Sequence, residues 1–283
     1  MVKRAHAIVA SIILLFPLYS CSRPSNPWTV VAVRERRPGE VPFEEASRYL
    51  WPSPDANNVP GPDSLVARVR TDENYHPFIE ISSLRTGLTI GVIARAFLPH
   101  WSPNGVYLAC EVWKSPEQRS ELTVVDAATG KMFLDPEVQA SAVDIKWSPD
   151  SRMIVADGVI YGGPQSILYA VSVPKGRVTV LDTLNVLAHY ECSWSPEGRW
   201  IAFSRPTKLD HLGESTIAAD IWIADSRSGR TWPLLETPDW VETNPLWITN
   251  RTIQFDRTRC EGDEPGIEQR VVIELSESDR PHD

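Results

Sequence analysis

Three pentapeptides at nearly equal intervals constrain this chain most: Trp101-Ser102-Pro103-Asn104-Gly105, Trp147-Ser148-Pro149-Asp150-Ser151 and Trp194-Ser195-Pro196-Glu197-Gly198. A degraded copy, Trp247-Ile248-Thr249-Asn250, follows them, and Trp51-Pro52-Ser53-Pro54-Asp55 stands in front as a fifth. The five tryptophans are 50, 46, 47 and 53 residues apart. A period of this size is the mark of a repeat architecture. Each motif has the chemistry of a turn: proline presets φ, Asp or Asn tolerates the next position, and glycine accepts the left-handed conformation after it. The indole before the turn offers a broad apolar face on which neighbouring sheets can pack.

Strand-like residues follow each copy, as in Val106-Tyr107-Leu108-Ala109-Cys110, Arg152-Met153-Ile154-Val155-Ala156 and Arg199-Trp200-Ile201-Ala202-Phe203. A second apolar run ends each unit in turn residues, for example Ile221-Trp222-Ile223-Ala224-Asp225 before Ser228-Gly229-Arg230. β-Branched and aromatic runs bounded by glycine turns signal hairpins, and helical periodicity is missing. Four strands per unit of about 47 residues describe the blades of a β-propeller. From about Trp51 to Phe255 the units resemble TolB-type β-propeller repeats, whose hallmark is Trp-Ser-Pro-Asp-Gly leading into a Lys/Arg-x-Ile-Ala-Phe strand. The resemblance implies an all-β propeller of about five four-stranded blades, or six if a divergent one lies between Pro38 and Pro62. Trp51, Trp101, Trp147, Trp194 and Trp247 would be its structural tryptophans. After Trp247 the last unit lacks an outermost strand, and Trp28-Thr29-Val30-Val31-Ala32-Val33-Arg34 has no unit of its own. The N-terminal strand is therefore expected to close the final blade, which would satisfy an open sheet edge.

The N-terminus reads as a targeting segment. Lys3 and Arg4 precede an apolar run from Ala7 to Phe16, too short to cross a hydrocarbon core of about 30 Å and matching a secretory signal instead. Leu18-Tyr19-Ser20-Cys21 resembles the bacterial lipobox, which implies lipidation of Cys21 and cleavage before it. The expected organisation is a signal peptide over 1–20, a polar tether over 21–27 and a single propeller domain over 28–283. Such a protein is held on the membrane by its lipid. In the family pattern an Asp after the Cys retains the protein at the inner membrane of enteric-type bacteria; Ser22 stands there, which favours the periplasmic face of an outer membrane if the organism has one.

Chemistry is sparse in the rest of the chain. With 28 basic and 37 acidic residues the formal charge is −9, which disfavours nucleic acid as a partner. No Cys-x-x-Cys, His-Glu-x-x-His or Gly-x-Ser-x-Gly occurs, so neither a zinc site, another cofactor nor an α/β-hydrolase nucleophile is expected. Cys110 and Cys192 fall on strands and suit core positions, whereas Cys260 falls in a loop-like segment; one disulfide among the three stays open.

One constellation emerges when the units are aligned on their tryptophans. Asp144, Glu191 and Asn244 lie three residues before the Trp, and His189 and Glu242 two positions earlier still. Side chains alternate along a strand, so both sets should share one face of the innermost strands and converge at a channel mouth. A hard cation or a basic peptide would suit such a cluster. The expected function is a lipid-anchored, non-enzymatic envelope module that binds a protein or peptide. The alternative is a propeller-type polysaccharide lyase or glycoside hydrolase using Asp144, Glu191 and Glu242.

Overall fold

The structure is a computed structural model that describes residues 26–35, 58–60, 65–114, 119–133, 140–161, 165–209, 216–238, 240–261 and 264–277. The signal segment, Cys21 and Trp51 lie outside the described residues. Every regular element among those described is a strand. After β1 (Trp28–Glu35), four sheets follow in chain order. The first is β2 (Asn58–Pro60), β3 (Leu65–Thr71), β4 (Pro77–Ser83) and β5 (Thr89–Ala94). The second is β6 (Ala96–Trp101), β7 (Tyr107–Lys114), β8 (Arg119–Asp126) and β9 (Met132–Phe133). The third is β10 (Ala140–Trp147), β11 (Met153–Ile160), β12 (Gln165–Ser172) and β13 (Val178–Leu184). The fourth is β14 (Cys192–Trp194), β15 (Trp200–Leu209), β16 (Thr216–Asp225) and β17 (Thr231–Pro233).

The last sheet is β18 (Trp240–Thr249), β19 (Thr252–Glu261) and β20 (Glu264–Glu277), and its fourth strand is β1, antiparallel to β20 from Trp28↔Glu277 to Glu35↔Val271. The first and last strands of the chain are thus zipped together. A single parallel bridge, Ala219↔Val241, joins the fourth sheet to the fifth.

The middle strands of the third sheet are buried on both faces, and so read as near-continuous apolar runs. In β12, Ser166 to Val171 are all buried. Alternate residues serve two different interfaces: Ala109 packs with Ile145 and Ile154 of the third sheet, while its neighbours Leu108 and Cys110 pack with Ile79 and Ile81 of the first. The other two interfaces are built the same way, around Trp194 and Phe203 and around Trp200, Trp247 and Phe255.

Two sets of inter-sheet hydrogen bonds mark the two ends of the inner strands. At the turn end, Trp147 Nε1 donates to the carbonyl of His100 (2.9 Å) and Trp194 Nε1 to that of Lys146 (3.0 Å). Each acceptor is the residue just before the preceding sheet's tryptophan. The turns themselves also interlock, since Asn104 N donates to Ser151 Oγ (3.0 Å) and Glu197 N to Asn250 Oδ1 (3.1 Å). This explains why Ser151 stands at φ 61° where Gly105 and Gly198 stand in the other copies. Its hydroxyl serves the neighbouring turn.

At the opposite end lie Glu111, Asp157 and Ser204, each ten residues after its tryptophan. Glu111 Oε1 accepts Ala142 N (2.7 Å), Asp157 Oδ2 accepts Tyr190 N (2.9 Å), and Ser204 Oγ donates to the carbonyl of Glu242 (2.5 Å). Each bond reaches the next sheet.

In the first sheet Pro60 stands opposite Val66, as Trp101 stands opposite Leu108 in the second; the expected role of Trp51 falls on a residue outside the described ones. One expectation is corrected here. Cys260 belongs to β19 rather than to a loop. Cys110 and Cys192 are buried free thiols.

Candidate functional site

A cavity of about 470 Å³ lies where the third, fourth and fifth sheets meet, lined along the inner strands from Lys146 and Leu246, just before their tryptophans, to His189. Asp144, His189, Glu191 and Asn244 line it, joined by Lys146, Asp157, Cys192, Gln254, Asp256 and Arg270 among others. Four of the five expected residues therefore come together.

Glu242 does not. It is fully buried behind the wall, where Oε1 accepts from Thr237 Oγ1 (3.0 Å) and Oε2 from Ile221 N (3.3 Å). Burial pushes its carboxyl up to about 7 against the pull of those donors. The strict alternation expected along the inner strands fails because each is irregular at this level. Register shifts fall between Phe97 and His100, between Ala142 and Asp144, and between Thr243 and Leu246. Leu98 and Asn244, both three residues before their tryptophans, take φ values of 51° and 50°. A bulge turns successive side chains to different sides, so Asn244 is exposed while Glu242 is sealed in.

The wall holds its polar groups firmly. Tyr190 is buried, its N–H donates to Asp157 and its hydroxyl donates to Asp182 (3.0 Å), which also pairs with Arg205 (2.7 Å). That clamp fixes the backbone on both sides of His189 and Glu191. The His189 imidazole, 70% exposed, stands with Nδ1 3.4 Å from Asp157. Asp157 is almost wholly buried; it also accepts Asp144 N (3.0 Å), and desolvation raises its carboxyl above the usual carboxylate range despite Tyr190 N–H and His189. Glu191 accepts Asn244 N at 2.6 Å, tying the fourth sheet to the fifth.

Cations in the cavity sit beside carboxylates. Lys146 Nζ lies 3.5 Å from Asp144 and donates to the carbonyl of Cys192 (2.6 Å), and Arg270 makes a two-pronged contact with Asp256 (2.7 and 3.3 Å). No group of three or more His, Cys, Asp or Glu among the described residues is placed to hold a metal ion. Asp157, Asp256 and Arg270 were not among the residues expected from the sequence. A signal for the first two existed: a polar residue interrupts the apolar run of each second strand, at Glu111, Asp157, Ser204 and Asp256.

No family model matches the sequence, and no curated protein matches it. Among solved structures the tricorn protease superposes with a TM-score of 0.51 at 15% identity, over 72% of this chain and 23% of that one. Oligogalacturonate lyase in complex with manganese gives 0.48 at 14% identity over 79% and 67%, and TolB from Acinetobacter baumannii 0.43 at 17% over 77% and 53%. The chain thus spans about a quarter of the tricorn protease and about half of TolB. This chain has the β-propeller fold. A protease is among the structures it superposes on, so the expectation of a non-enzymatic protein is withdrawn.

Proposed function

We propose that this chain is a lipid-anchored cell-envelope propeller that receives a basic segment of a protein or peptide partner in the cavity between its third, fourth and fifth sheets. The observation that carries the reading is the cavity's charge arrangement. Four carboxylates, Asp144, Asp157, Glu191 and Asp256, face it, while its two cations already lie beside Asp144 and Asp256. Glu191, exposed and oriented by the Asn244 N–H, is the group best placed to receive an incoming ammonium or guanidinium. The lipid anchor at Cys21 and the envelope address follow from the lipobox resemblance.

A second reading, lyase or glycoside hydrolase chemistry, is favoured by a different observation. The His189 imidazole, backed by Asp157, shares the cavity with Glu191 and Asp144, and these are the components of an acid–base pair. One variant series separates the two. Cross-linking capture of envelope partners by the full chain should weaken at least tenfold in Glu191→Gln and become less sensitive to salt, with His189→Ala retaining capture. Loss of turnover on acidic polysaccharides in His189→Ala, with capture undiminished in Glu191→Gln, would replace the binding reading by the enzymatic one.

A further inference from the structure

The direction in which the chain enters the propeller carries an inference about how the molecule sits on a membrane. β1 is the outermost strand of the fifth sheet and runs from the Trp-Ser-Pro turn end towards the opposite end, because it is antiparallel to β20. Its first residue, Trp28, packs edge-on against Trp200, the residue that opens β15 directly after a Trp-Ser-Pro turn (ring centres 5.6 Å apart). Just before it, Asn26 Nδ2 donates to the carbonyl of Pro233 (3.0 Å), and its Oδ1 accepts Trp28 N (2.9 Å). The chain is therefore pinned at the turn face.

The same face differs in charge from the rest of this acidic protein. In the turns of the third, fourth and fifth sheets the exposed cations are Arg152, Lys175, Arg177, Arg227, Arg230 and Arg251. Against these six stand Asp150 and Glu197 in the turns and Glu277 at the end of β20; Asp225 is taken up by Arg199 at 2.9 Å and Glu274 by Arg34 at 3.2 Å. Juxtamembrane cations of this kind are drawn to anionic headgroups.

We infer that the turn face of the third to fifth sheets lies against anionic phospholipid headgroups. This rests on the anchor proposed at Cys21. Asn26 stands five residues after Cys21, a reach of at most about 18 Å, so the lipid is held close to the turn face on which Asn26 is pinned. The lipid and the cationic turns then act as two signals on one surface, the combination that gives stable attachment.

The test uses the full chain reconstituted into phosphatidylcholine vesicles with and without phosphatidylglycerol. A fluorescent amino acid replaces Ser228 in a turn or Glu73 between β3 and β4 at the opposite end of the strands, and brominated lipid is the quencher. Quenching at Ser228 several-fold greater than at Glu73, and greater still with phosphatidylglycerol, is the expected result. Combining Arg177→Glu, Arg230→Glu and Arg251→Glu should bring Ser228 down to the Glu73 level with thermal midpoint unchanged. Equal quenching at both sites, or indifference of Ser228 to charge reversal, overturns the inference.

Mass analysis of the N-terminal peptide reports separately on the anchor. If Cys21 carries no acyl group, the lipoprotein reading fails. The headgroup surface is then decided by vesicle sedimentation, where the charge-reversed chain should bind phosphatidylglycerol vesicles at least tenfold more weakly, and equal binding refutes it.

Discussion

The two ends of the inner strands are built from the same repeat yet obey different rules. At the turn end, indoles and turn side chains are matched to the neighbouring sheet: Trp147 and Trp194 find backbone carbonyls, and Asn104 and Glu197 amides find side-chain acceptors. At the cavity end, carboxylates are buried at cost, and backbone stands in the left-handed region at Leu98 and Asn244. The contrast teaches where a propeller concentrates stability and where it leaves room for chemistry. Cooperative packing fills the turn end; the cavity end keeps polar groups that packing alone would have removed.

The comparison breaks most visibly if the tryptophans are dispensable. Trp194 is 2% exposed within the cluster that joins the third and fourth sheets. Trp194→Ala should cost about 3–5 kcal/mol from lost contact and cavity formation, measured as a drop in the denaturation midpoint. Trp247 Nε1 has no acceptor among the described residues, so Trp247→Phe should be milder than Trp194→Phe, which also gives up a hydrogen bond.

A sharper test of the cavity end uses pH. Glu111 is fully buried, and desolvation pushes its carboxyl up to about 7 from 4.5, although Ser120 and Ala142 N–H pull the other way. A folded-state value above the unfolded one means that the folded protein binds the proton more tightly. The stability this confers is complete below about 4.5 and is lost as pH rises through about 7. Glu111→Gln keeps an acceptor for Ala142 N and removes the titration, so it should exceed the parent in stability by about 1–3 kcal/mol at pH 8 and not at pH 4.5. Glu242→Gln should gain less, because Ile221 N and Thr237 Oγ1 use both carboxyl oxygens. Parallel pH profiles of parent and Glu111→Gln would refute the account.

The fold was legible because its signals are local and recur. A turn that needs proline and a left-handed residue, followed by a run buried on both faces, can be seen in three copies without knowing what packs against what. The N-terminal strand was placed by counting what the last unit lacked. The cavity was only partly legible because its contents depend on register. Asp144, Glu191 and Asn244 were found by alignment on the tryptophans, but Glu242 was put on their face by an alternation that the bulge at Thr243–Leu246 breaks. Asp157 and Asp256 went unseen for a different reason. They sit on second strands, where nothing in a single unit says that the side chain reaches across to a neighbour.

The smallest expected effect concerns that irregular backbone. Leu98 and Asn244 occupy the same place in two sheets with φ near +50°, yet only Asn244 borders the cavity, and only Asn is a residue type that tolerates this conformation well. If the irregularity belonged to the cavity's chemistry, the second sheet would have no reason to keep it. Its presence at Leu98 argues that the bulge is inherited from the blade geometry and that the cavity exploits it. Leu98, with 39% of its surface exposed, has little packing to lose, so Leu98→Gly should relieve backbone strain and stabilise the protein by about 0.5–1 kcal/mol. Asn244→Gly should gain less, since asparagine already bears φ > 0 at lower cost, and Asn244 N would still donate to Glu191. A loss of stability in Leu98→Gly would mean that the side chain, rather than the blade, dictates the bulge.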